Sequence, residues 1–168
     1  MRLKAKILSV LILLLYGCAM FSVKTYDETV SGWKSHKDVE KWLAKDFSLD
    51  MERFKRFEGT LPPPRTPEET FKLKSGIYID AAIFARATLN RINPSYQAKI
   101  VVLLIPGGAN HYACSFKKEG KLFIMDYGTP YPSIVGVHGP FNILNEYKQF
   151  FEKKHPIIRR VEAIMYLP

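Results

Sequence analysis

The sequence predicts an α+β fold in which a helical N-terminal part leads into a central helix packed on an antiparallel β-sheet. Three observations carry that prediction. Ile77 to Ile92 has the pattern of a largely apolar helix, with Ile79, Ala82, Ile83, Ala85, Ala87 and Leu89 forming a body that belongs inside a fold. Ile100 to Ile105 is an unbroken Ile/Val/Leu run closed by Pro106-Gly107-Gly108, the signature of a strand buried on both faces. His111–Lys117 and Leu122–Met125, joined by Lys118-Glu119-Gly120-Lys121, read as a β-hairpin.

The chain begins with an address. Basic Arg2, Lys4 and Lys6 precede an apolar run from Ile7 to Leu15 broken only by Ser9, the layout of a secretory signal peptide over residues 1–17. The run is shorter than the roughly 20 apolar residues a spanning helix needs. It ends in Leu15-Tyr16-Gly17-Cys18, which resembles the lipobox of bacterial lipoproteins, with Tyr16 where that pattern has a small residue. The resemblance implies cleavage before Cys18 and lipid attachment to it; without it, Cys18 is an ordinary thiol behind a signal. Each buried methylene of an acyl chain contributes about 0.8 kcal/mol, so a multiply acylated Cys18 would hold the protein at a membrane. The expected location is therefore outside the cytoplasm, anchored to the cell membrane or outer membrane on the periplasmic face. Ala19 rather than Asp after the cysteine resembles lipoproteins sent to the outer membrane. Residues 18–32 lack periodicity and read as a tether, and residues 33–168 as the domain.

Within that domain, Ser35 with Asp38 starts a helix running to about Lys45, with Val39, Trp42 and Leu43 at helical spacing. Ser48 is the expected cap of a second helix, Leu49–Phe57, whose Met51, Phe54 and Phe57 form an apolar face assigned to the core. Leu61-Pro62-Pro63-Pro64 cannot continue a helix, because proline lacks the amide donor and restrains its neighbour. Thr66-Pro67-Glu68-Glu69 restarts one with a capping box and proline in the first turn. Ser75-Gly76 ends it before the central helix. Beyond the hairpin, Gly128–Pro140 reads as a loop, Phe141–Lys154 as an amphipathic helix and Ile157–Tyr166 as a last strand.

Composition narrows the function classes. A domain of about 135 residues buries roughly two-thirds of its unfolded surface, enough for one core without cross-links. Only Cys18 and Cys114 exist, so a lipidated Cys18 leaves no partner for a disulfide. Loss of Arg2, Lys4 and Lys6 lowers the net charge from +9 to +6. Basic runs no longer than Lys117-Lys118 or Arg159-Arg160, in an exported chain, argue against nucleic acid and fit a solubilising surface or attraction to anionic lipid. The four histidines have no zinc-like spacing, so neither metal nor cofactor is expected; His36 and His138 read as exposed.

The chemistry concentrates in Ser75-Gly76-Ile77-Tyr78-Ile79-Asp80-Ala81-Ala82, Asn110-His111-Tyr112 and Met125-Asp126. Together these resemble the transglutaminase-like branch of the papain-like fold, over about Thr66 to Phe141. That family has Gly-x-Cys-x-Asp-x-Ala at the start of its central helix, then a histidine opening one strand and an aspartate on the next. Gly76, Asp80 and Ala82 match, His111 and Asp126 take the histidine and aspartate places, and Tyr78 stands in the cysteine slot. In a working member the thiol is activated at the helix N-terminus, the imidazole takes its proton, and the carboxylate orients the imidazole. A phenol with a pKa near ~10 offers no comparable nucleophile. Cys114 cannot substitute, because an odd spacing from His111 puts the two on opposite faces of a strand; it reads as a small buried hydrophobe.

These readings predict a membrane-tethered, catalytically incomplete transglutaminase-like domain that binds a peptide, protein or peptidoglycan partner. Two alternatives stand beside it: an active hydrolase or acyltransferase with a non-standard nucleophile, and a structural lipoprotein without a cleft.

Overall fold

A computed structural model describes residues 24–56 and 61–167, so the signal segment and Cys18 lie outside it. The chain order is α1 (Tyr26–Val30), α2 (His36–Lys45), β1 (Ser48–Leu49), α3 (Met51–Arg56), α4 (Pro67–Leu73), β2 (Ser75–Gly76), α5 (Tyr78–Ile92), β3 (Lys99–Leu104), β4 (His111–Lys118), β5 (Lys121–Asp126), β6 (Gly136–Phe141), α6 (Leu144–Lys154) and β7 (Ala163–Tyr166), with short 3-10 turns at Pro94–Tyr96 and Pro132–Ile134. The fold is α+β. Five strands form a sheet in the order β6-β5-β4-β3-β7, every neighbouring pair antiparallel.

Strand alternation divides the core between two faces of this sheet. On one face Tyr112, Cys114 and Phe116 of β4 meet α5 and the N-terminal helices, where Phe84 and Leu89 are fully buried and Trp42 stacks on Phe84 at 4.3 Å. On the other, Val101, Leu103, Ala113 and Ile124 pack under Tyr147 and Phe151 of α6. Each fully buried Leu or Phe of these layers contributes about 1.5–3 kcal/mol. Burial on both sides explains why Ile100–Leu104 reads as a continuous apolar run rather than an alternating one.

The sequence misses or misplaces several elements. Within the expected tether, Thr25 and Glu28 form a capping box that starts α1, and Tyr26 and Val30 are buried in the core, so packing begins upstream of Trp33. Five residues are too few to display a helical period. Ser48 is not a helix cap but pairs in parallel with Ser75, while Asp50 caps α3 by accepting from the Arg53 amide at 3.0 Å. That helix buries none of its residues: Met51 is exposed and Phe54 half-buried, and Phe57 lies outside the described residues. The expected loop at Gly128–Pro140 contains β6, an edge strand with a register irregularity opposite Leu122 and Ile124; its glycines and proline hide the pattern but are tolerated at an edge. The last helix starts at Leu144 and the last strand at Ala163, later than expected in both cases. His36 and His138 are not free on the surface: His36 is buried and approaches the Tyr96 hydroxyl at 3.5 Å, and His138 Nε2 contacts the Ile134 carbonyl at 2.7 Å.

Candidate functional site

The start of α5 is built around Asp80. Its carboxylate, fully buried, accepts from the amides of Ile77 at 2.9 Å and Arg65 at 2.8 Å and faces Arg53 Nε at 3.3 Å. The Ile77 bond is the backbone half of a capping arrangement, satisfying an amide the helix cannot pair itself. Gly76 is required by this packing, because a Cβ there would lie 2.8 Å from the Asp80 Cβ. Arg65 extends the network, bonding the Ser75 carbonyl at 2.8 Å and pairing with Asp50 at 2.8 Å. Gly and Asp of the motif therefore shape the turn that presents residue 78.

Tyr78 opens the helix and is buried to 8% exposure. Its ring lies 5.1 Å from the His111 imidazole, stacks with Tyr112 at 6.0 Å and 10°, and meets the Phe54 edge at 6.1 Å. Burial, with a smaller contribution from Tyr112, pushes its phenol above the ordinary tyrosine value. Gly128, φ +76°, presses the loop after β5 against this same turn: a Cβ there would sit 2.6 Å from the Ile77 carbonyl carbon and 2.7 Å from the Tyr78 nitrogen. The loop contact holds the end of β5, and so Asp126, beside the helix N-terminus.

His111 Nε2 lies 2.9 and 2.8 Å from the two Asp126 carboxylate oxygens. A carboxylate only accepts, so Nε2 carries the proton and Nδ1 is left as the nitrogen that can act as a base. Asp126 is fully buried and also accepts from the Tyr147 hydroxyl at 2.6 Å. Burial first, and the Asp126 charge second, push the Tyr147 phenol well above its usual value, so it stays a neutral donor. Phe151 closes the far side, its ring 5.0 Å from His111. Chemically, this is an imidazole held by a buried carboxylate in a dry setting, facing a phenol that burial pushes above its ordinary value.

The structure thus brings Tyr78, His111 and Asp126 together. Cys114 is fully buried against the α5 side, away from the His111–Asp126–Tyr147 group on the α6 side, and burial pushes its thiol far up. Tyr147, Phe151 and Gly128 were missed in the sequence; only the amphipathic spacing of α6 hinted that Tyr147 and Phe151 share an inward face. An open hollow of about 170 Å³ remains beside the site, lined by Leu61, Tyr78, Gly108, Ala109, Asn110 and Tyr112. Among the described residues no cluster of His, Cys, Asp or Glu could hold a metal ion, and no helix is long and apolar enough to cross a membrane.

Comparison with known proteins agrees with this fold. The sequence profile of a family described as a transglutaminase-like domain matches residues 20–160. The chain belongs to the transglutaminase-like family. A curated relative, the UPF0252 protein of Pyrococcus horikoshii, is 32% identical over 124 residues, covering 72% of this chain and 34% of the relative. The chain thus spans about a third of that protein's length. Within the transglutaminase-like domain, the matched region contains α5, the His111–Asp126 pair and Tyr147.

Proposed function

We propose that this transglutaminase-like domain is catalytically incomplete and works by binding a peptide, protein or peptidoglycan partner in the hollow beside Tyr78, held at a membrane through lipid on Cys18. The observation that carries the reading is Tyr78 itself. It stands at the helix N-terminus, where a thiol would gain reactivity from the backbone dipole and free amides, yet its phenol is pushed upward by burial and its ring lies against His111 and Tyr112. The base therefore has no thiol to activate.

The open hollow supports the binding reading: Tyr78 and Tyr112 form an aromatic wall with Asn110 as a polar group at its rim. Aromatic faces beside polar groups are what orients a ligand in a recognition site. The alternative, a hydrolase or acyltransferase with a non-standard nucleophile, draws on the intact hydrogen bonds between His111, Asp126 and Tyr147.

Peptide amidase and glutamine transamidation assays separate the two. The native chain should give no turnover above the uncatalysed rate. Activity that disappears in His111→Ala would overturn the binding reading and establish the alternative. The anchor is checked independently: mass spectrometry of the mature N-terminus in a bacterial host should find an acylated Cys18, and Cys18→Ser should move the protein from the membrane to the soluble fraction.

A further inference from the structure

Midway along α5 lies a guanidinium that is unpaired among the described residues. Among the described arginines, Arg53, Arg65 and Arg91 pair with Asp80, Asp50 and Asp27, and Arg159 bonds the His155 and Pro156 carbonyls. Arg56 and Arg160 are exposed to water. Arg86 differs from all of these: it is half-buried on α5, with neither an ion pair nor a hydrogen bond among the described residues. A partly dehydrated cation without a partner is costly, and nearby protein groups normally compensate it.

Arg86 lines an open hollow of about 470 Å³ together with Asn90, Lys99, Ile100, Tyr166 and Leu167, and among the described residues no carboxylate lines it. Lys99 is exposed, has no ion pair among the described residues, and its Nζ lies 5.1 Å from the Tyr166 ring centroid. Asn90 is committed to the wall, because its side chain bonds both the amide and the carbonyl of Ala98, at 2.8 and 3.0 Å. The free functional groups are therefore two cations beside an aromatic ring and two aliphatic side chains.

We propose that this hollow binds an oxyanion, a phosphate or carboxylate, carried on an apolar or aromatic body. The planar guanidinium offers two parallel donors that match such a group, Lys99 adds a second charge, and Tyr166, Ile100 and Leu167 supply the apolar wall. The site is separate from the Tyr78 hollow. Arg86 lies eight residues along α5 from Tyr78, about 12 Å, and Lys99 pairs with Ser115 while His111 pairs with Leu103 at the far end of β3.

Phenyl phosphate and inorganic phosphate, titrated against the full chain at low salt by calorimetry, test the site. Saturable binding of phenyl phosphate, weaker for inorganic phosphate, is expected. Arg86→Gln should weaken it at least about tenfold, and Lys99→Gln several-fold, while His111→Ala leaves it unchanged. Lys99 is exposed, so its variant reads the site even where Arg86→Gln fails to fold. Displacement of the protein from phosphatidylglycerol vesicles by phenyl phosphate would identify a lipid headgroup as the source; phenyl phosphate binding without vesicle binding would identify a soluble ligand. No saturable binding, Lys99→Gln behaving as native, or loss of binding in His111→Ala would overturn the proposal.

Discussion

At position 78 a buried phenol lies against His111, whose imidazole bonds Asp126, and Asp126 also accepts from Tyr147. On the proposed function, a thiol placed at position 78 should be reactive. Tyr78→Cys is expected to react with iodoacetamide near pH 6 at least about tenfold faster than the Tyr78→Cys, His111→Ala double variant, because imidazolium and the helix N-terminus both stabilise thiolate. Equal rates in the two variants, at pH values where free thiols stay protonated, would mean that His111 does not reach residue 78. Native Cys114 supplies the background control, since it is fully buried.

Among the elements, the α5 N-terminus carries the most concentrated dependence on a single residue. Asp80 accepts two backbone amides and faces Arg53 without exposure to water. Asp80→Ala would leave Arg53 and both amides uncompensated, and should lower unfolding free energy by about 3 kcal/mol, since losing one partner of a buried pair costs far more than the pair contributes. Urea denaturation measures it; a loss below about 1 kcal/mol would show that water replaces the carboxylate. Much of this element was legible in advance. The apolar body of α5, the Thr66–Glu69 box and the β4–β5 hairpin follow from periodicity and turn residues close to each other in sequence. α3 was placed correctly as a helix, but of its expected core face Met51 is exposed and Phe54 packs half-buried at the edge of the core against Tyr78, a difference that period alone cannot tell.

For the molecule as a whole, acid sensitivity comes from two buried histidines. Burial first, then Lys118, depresses the pKa of His36; burial first, then His111, depresses that of His155, against an opposing pull from Asp126. The His155 Nδ1 accepts from the Ile157 and Ile158 amides at 3.2 and 2.9 Å, a role that ends on protonation. A depressed native pKa means that the unfolded chain binds more protons as pH falls below the usual imidazole value near ~6.5, so stability drops with falling pH until the native histidines titrate too. The carboxylates held low, Asp38, Asp50 and Glu152 among them, weaken the fold only at more acid pH. The urea midpoint should therefore fall between pH 7.5 and 5.5, and His155→Asn, whose amide oxygen can keep accepting, should reduce that slope; an unchanged or rising midpoint in acid would refute the assignment.

By itself the sequence determined the α+β class, the central helix, the hairpin and three of the residues that meet at its end. Those features depend on local periodicity, caps and short spacings, which a linear chain displays directly. Tertiary structure alone decided that Tyr147 bonds Asp126, that Gly128 presses on the Tyr78 turn, and that Arg86 has no partner among the described residues. Each joins elements distant along the chain, and no period or motif encodes which side chain will be nearest once two faces of a sheet are covered.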